Sequence, residues 1–179
     1  MRAVVIYESM YGNTHLVADA IGRGLADDFD VAVVPVGEAS ASMVAEADLV
    51  VVGGPTHIHG MSRETSRQSA ATEAAKDDNE LVLDADATGE GLREWFETLG
   101  PVDTRAAAFD TRLAGPAAFT GRASKGIARL LERHGLTLIA QAESFLVTNE
   151  NKLQPGEEDR AREWGEELAA TVPATQVRS

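Results

Sequence analysis

The stretch Ala3-Val4-Val5-Ile6-Tyr7-Glu8-Ser9-Met10-Tyr11-Gly12-Asn13-Thr14 decides how the rest of the chain is read. Ala3 to Tyr7 is a short, largely β-branched run with no polar alternation, as expected of a strand buried on both faces. From about Thr14 the apolar residues Val17, Ala20, Ile21, Gly24 and Leu25 fall on one helical face. Between strand and helix lie Glu8 to Thr14, short and rich in hydroxyl groups, with Gly12 letting the backbone come close to a ligand. An anion there would meet unpaired amides and the positive end of a helix dipole, with Ser9, Asn13 and Thr14 as further donors. The loop contains neither the G-x-x-x-x-G-K-[S/T] nor the G-x-G-x-x-G pattern. Ser9 and Thr14 acting only as helix caps is the competing structural reading.

Working outward, the same rhythm repeats. Val31–Val36 is a second strand, Asp48–Pro55 a third, Ala106–Phe109 a fourth, and the more polar Leu138–Val147 a fifth, expected at an edge. Helical spacing recurs in Leu92, Trp95, Phe96 and Leu99, closed by Gly100-Pro101. It recurs again in Ala123, Ile127, Leu130, Leu131 and His134 before Gly135, and in Ala161, Trp164, Gly165 and Leu168. Strands alternating with helices mean parallel βαβ units. The expected architecture is therefore α/β: a doubly wound, five-stranded parallel sheet with helices on both faces. Residues 1–171 are expected to form one domain, with a polar insertion near 62–88 that serves as a surface helix or a flap, and 172–179 a loose tail. Such sheets bind ligands at the carboxyl ends of their strands, which singles out Glu8–Thr14, Gly54–Arg63 and Asp110–Gly121.

Composition narrows the function. Sixteen Lys and Arg against 29 Asp and Glu leave a formal charge of −13, unfavourable for phosphate backbones or anionic lipid, so neither nucleic acid nor membrane is an expected partner. The absence of cysteine excludes disulfides, thiolate metal sites and cysteine nucleophiles. No apolar run approaches the length of a membrane span, and the run after Met1-Arg2 is too short for a signal peptide. A cytoplasmic location is expected.

The first loop resembles the FMN-phosphate loop of the flavodoxin family, and Val51-Val52-Gly53-Gly54-Pro55-Thr56 resembles that family's third strand entering its flavin-binding loop. The likeness extends to Phe145-Leu146-Val147 and to the acidic last helix with Trp164. The Ser-x-Tyr-Gly loop and Pro55-Thr56 are similar to the flavodoxin-like quinone reductases as well. The resemblance implies a flavodoxin-like fold and FMN as cofactor. The phosphate would be held by Ser9, Met10, Tyr11, Gly12, Asn13 and Thr14, and the ring would lie between Pro55–Met61 and the loop after strand four. The second loop departs from the family: Pro55, Thr56, His57, Ile58, His59 and Gly60 bring imidazoles where large aromatic side chains usually stack. His57 or His59 is expected to contact the flavin or its approach path. From the third loop, Asp110, Thr111 and Arg112 are expected at the flavin edge.

Three functions fit these residues. The resemblance implies an FMN-dependent carrier passing electrons between redox partner proteins, in keeping with the acidity. An NAD(P)H-dependent quinone or small-molecule reductase fits the Ser-x-Tyr-Gly loop and the insertion, with Arg63, Arg67 and Arg112 as candidate contacts for substrate phosphates. The absent aromatics leave room for a non-flavin binding or regulatory module.

Overall fold

A computed structural model describes residues 1–57, 60–74, 82–85, 87–116 and 120–173, without the side chains of 66, 70, 71, 73 and 74. Strand β1 (Arg2–Tyr7) leads through the Glu8–Gly12 loop into helix α1 (Asn13–Leu25). There follow β2 (Asp30–Pro35), α2 (Ala41–Glu46), β3 (Leu49–His57), the short β4 (Gly60–Met61), α3 (Glu64–Ala74) and α4 (Leu92–Thr98). The chain then forms β5 (Arg105–Leu113), α5 (Ala123–Arg133), β6 (Thr137–Leu138), β7 (Glu143–Val147) and α6 (Glu157–Thr171).

The sheet order is β2-β1-β3-β5, with β6 and β7 both parallel to β5 on its outer side. These two strands are halves of the single fifth strand expected from Leu138–Val147. The break has a simple cause: only Ala107 and Ala108 of β5 lie between the paired segments, against Ile139 to Ala142 opposite. Surplus residues in a ladder must bulge out of it. The order of strands reverses between β1 and β3, so the switch point lies beside the first loop.

Alternation along the strands builds two cores. Val5, Val51, Ala107, Phe109 and Phe145 face α1 and α6, where Trp164 closes an aromatic cluster with Phe109 and Phe145 at 6.0–6.4 Å. Val4, Ile6, Val50, Val52, Ala106 and Ala108 face Leu92, Trp95 and Phe96 of α4 and Ile127 and Leu131 of α5. Helices α1 and α6 cross at Gly24 and Gly165, where a Cβ on either residue would strike the other helix's backbone. Val172, the first residue of the expected tail, is buried in the first core, and 174–179 lie outside the described residues.

Helix α2 was not apparent as a periodic pattern. It is six residues long, started by Ser40, whose hydroxyl accepts from Met43 N at 3.3 Å, and it buries only Val44. The polar insertion does form a helix, α3, and its root is tied down by buried polar groups. Ser62 Oγ donates to Glu8 Oε1. Glu8 Oε2 accepts from Leu92 N at 2.9 Å, satisfying an amide at the start of α4. Arg67, 4% exposed, donates to Ser62 Oγ at 3.2 Å and to Glu94 Oε2 at 3.0 Å. Among the described residues no helix is long and apolar enough to cross a membrane.

Candidate functional site

At the switch point a cleft of about 260 Å³ opens between the carboxyl ends of β1, β3, β5 and β7. Met10, Tyr11, Asn13 and Thr14 form one wall, and Pro55, Thr56 and His57 at the end of β3 form the next. Thr111, Arg112 and Leu113 end β5, and Val147, Thr148, Asn149 and Asn151 close the cleft from beyond β7.

The start of α1 carries neither a side-chain cap nor an acid in its first turn, and Gly12 before it has φ 85°. The first amides of any helix lack intrahelical acceptors, so here they and the dipole's positive pole face the cleft. Ser9 and Thr14, the candidate caps, are engaged elsewhere. Ser9 Oγ accepts from Gly12 N at 3.1 Å and so holds the loop's shape, while Thr14 Oγ1 shares a 2.8 Å buried hydrogen bond with Thr111 Oγ1. That pair links the first loop to β5 across the cleft floor. Only one of the two hydroxyl protons is used in that bond.

Several residues expected at the site also bond within the protein. Asp110 is fully buried, and its Oδ2 accepts from Ser124 N at 2.7 Å at the start of α5. Thr56 Oγ1 accepts from Ala123 N at 2.8 Å at the same helix start, while Thr56 also lines the cleft. Asp110 is thus a cap for α5, and it does not pair with Arg112. Arg112 Nη1 instead reaches Gly115 O at 2.9 Å and Thr120 Oγ1 at 3.1 Å, shaping the loop after β5. Gly60 pairs with His57 across the β3–β4 hairpin. Ile58 and His59, at the tip, lie outside the described residues. Arg67, expected as a substrate contact, is instead buried against Ser62 and Glu94.

Two features of the site escaped sequence reasoning. The Thr148–Lys152 turn lies against α1, with Asn13 Nδ2 donating to Asn151 O at 2.9 Å. Its signal was present but weak: Thr148-Asn149-Glu150-Asn151 has turn-forming composition and no periodicity. The far end of the insertion also returns to the first loop. Asp84 N donates to Met10 O at 2.9 Å, and Asp84 Oδ2 lies 3.3 Å from Nδ1 of His15, whose ring stacks on Tyr7 at 4.5 Å. Opposite the cleft's far wall, Arg160 anchors α6 to β7. It donates to Glu157 Oε2 at 2.6 Å and Glu143 Oε1 at 3.1 Å, and sits 4.4 Å from the centre of the Phe145 ring. Hydrogen bonding to Glu157 is the main influence raising its pKa above the usual arginine value, against the opposing effect of burial. The raised pKa keeps Arg160 charged as pH rises, so alkali does not loosen this anchor within the range proteins tolerate, whereas acid that protonates its carboxylate partners does.

These features define a doubly wound α/β protein with an uncapped, acid-free helix start at its switch point. The chain belongs to the flavodoxin family, whose profile matches residues 5–100. No curated protein matches it significantly. Its fold is similar to a flavodoxin of Streptococcus pneumoniae, 22% identical, with 96% of this chain and 100% of that chain covered and a TM-score of 0.66. Flavodoxin 1 of Bacillus cereus is 16% identical over 95% of this chain and 98% of its own, with a TM-score of 0.64. A WrbA-like flavodoxin-fold protein of Agrobacterium tumefaciens is 17% identical over 96% of this chain and 96% of its own, with a TM-score of 0.60.

Proposed function

We propose that the chain binds FMN in this cleft and carries electrons between partner proteins in the cytoplasm. The observation that carries the reading is the uncapped, acid-free start of α1, opening onto a cleft whose walls are part apolar and part hydroxyl. This donor set suits the two halves of FMN. The first-turn amides and Thr14 would hold the phosphate, and Met10, Tyr11, Pro55, Leu113 and Val147 would flank the ring and keep water from it. Ser9, through Gly12, would hold the loop in its receiving shape. His57 would stand at the rim. FMN, when bound, supplies reversible electron uptake and release. A cleft of about 260 Å³ is near the small end of the roughly 300–1,000 Å³ usual for ligand sites. It would leave part of the cofactor exposed, as exchange with a protein partner requires.

Carrier is favoured over NAD(P)H-dependent reductase by what the arginines do. Arg67 is buried in the clasp at the root of α3, and Arg112 commits its Nη1 to its own loop, leaving its buried Nε without a partner among the described residues. A net charge of −13 would steer a basic partner toward the molecule and repel a dinucleotide. The test is titration of the apoprotein with FMN and with riboflavin, followed by flavin fluorescence. One-to-one binding with a marked preference for FMN is expected, and no flavin binding overturns the reading. NADH or NADPH oxidation with a soluble quinone above about 1 s⁻¹, within the ordinary enzyme range, would establish the reductase instead.

A further inference from the structure

We propose that the Thr148–Lys152 turn is a fourth wall of the cofactor site, and that Asn151 donates a side-chain hydrogen bond to the phosphate of FMN. The inference rests on the FMN reading and adds a donor from outside the three loops that the sequence singled out. Strand β7 does not run straight into α6: Val147 bridges Leu153, and the chain between them turns back tightly. Asn151 N donates to Thr148 O at 3.0 Å, and Thr148 N to Lys152 O at 2.8 Å. This holds Asn151 at φ 58°, a left-handed conformation that Asn tolerates better than most residues.

Helix α1 fixes the side chain from the other direction. Asn13 Nδ2 donates to Asn151 O at 2.9 Å and to Asn151 Oδ1 at 3.4 Å. With Oδ1 turned to Asn13, the amide nitrogen on the same carbon points away from it. That Nδ2 is buried and has no acceptor among the described residues. Buried amide donors are rarely left unpaired, because the loss of water is uncompensated. Six buried side-chain polar atoms lack a partner among the described residues. Only two of them belong to residues lining the cleft, Asn151 Nδ2 and Arg112 Nε, and both are donors. An occupant that satisfies them must bring hydrogen-bond acceptors. Asn151 is held against the first residue of α1, so the phosphate received by that helix start is the acceptor within its reach.

The test compares Asn151→Asp and Asn151→Gly with the unaltered protein, titrating each with FMN and with riboflavin. Both replacements tolerate positive φ and keep the main-chain oxygen that Asn13 uses. Melting temperatures are recorded alongside, so that only folded protein is compared. FMN affinity is expected to fall about tenfold for Asn151→Gly, the size of one charge-assisted hydrogen bond. It should fall further for Asn151→Asp, where a carboxylate replaces the donor, with riboflavin affinity unchanged in both. Unchanged FMN affinity in Asn151→Gly overturns the proposal, even if Asn151→Asp binds weakly, because charge alone then explains the loss. Equal losses for FMN and riboflavin also overturn it, since the donor would then face the ring or the sugar alcohol. Failure of the unaltered protein to bind FMN refutes the broader reading and not this contact alone.

Discussion

Helices α1 and α6 pack side by side and begin with the same backbone. Gly12 has φ 85° and ψ −16°, Gly156 has φ 86° and ψ −12°, and neither helix has a side-chain cap. Their first turns then diverge. Helix α6 carries Glu157, Glu158 and Asp159, so its dipole meets negative charge from its own sequence. Glu157 does more, since its Oε2 also accepts from Leu146 N at 2.6 Å and pairs with Arg160. Helix α1 has no acid in its first turn, and Asn13 and Thr14 are buried there, facing the cleft. The same geometry is thus closed in one helix and left open in the other. The difference separates a helix start neutralised by its own acids from one that, on the proposed reading, takes its negative charge from a ligand.

The sharpest way to break the contrast is to make α1 resemble α6. Asn13→Asp places a carboxylate at the first helical position, where the phosphate would lie, and removes the donor to Asn151. FMN affinity is expected to drop by about a hundredfold or more through like-charge repulsion and the lost dipole field, with riboflavin much less affected. Parallel fluorescence titrations of the two flavins check this. Equal losses would mean that α1 does not hold the phosphate.

The reciprocal change empties α6 of its most engaged acid. Glu157→Ala strips Leu146 N of its acceptor and Arg160 of one of its carboxylate partners, and a cost of roughly 1.5–3 kcal/mol in stability is expected for losing charge-assisted bonds at a largely buried carboxylate. Urea unfolding measures it, and FMN affinity should hold. A stability change near zero would show that the anchor is ornamental.

The smallest effect comes from the two glycines themselves. A Cβ on Gly12 or Gly156 meets no atom within 4 Å, so the cost of alanine is conformational strain at positive φ and not collision. Gly12→Ala and Gly156→Ala should therefore lose similar stability, roughly 1–2 kcal/mol each, by chemical denaturation. Only Gly12→Ala should also weaken FMN. Matching effects on flavin binding would erase the distinction between the two helix starts.

Much of this was legible before any coordinates. The strand cores announce themselves through runs such as Val4 to Ile6 and Leu49 to Val52, because a strand covered on both faces needs apolar residues at every position. Alternation with helices of 3.6-residue period then fixes parallel, doubly wound topology, and the Ser9–Thr14 loop marks where a ligand would meet the first helix. These are local properties, carried by neighbours in the chain. Helix α2 left little trace because so short a helix with one buried side chain has hardly any period to detect.

What only the tertiary structure decided is which polar residues spend themselves on the protein and which are left for a ligand. Asp110 and Arg112 are two residues apart and look alike as candidates, yet one caps α5 and the other props its loop while lining the cleft. Arg67 lies near the second loop in sequence but is buried through Ser62 and Glu94. Glu8, inside the first loop, bonds partners 54 and 84 residues away, and Asn13 finds Asn151 across 138 residues. The reason is physical: a hydrogen-bonding side chain carries no period and no preferred sequence distance, so its partner is set by how the elements pack. Composition and spacing could therefore determine the sheet and the place of the cleft, while the pairing of polar groups around it waited on the fold.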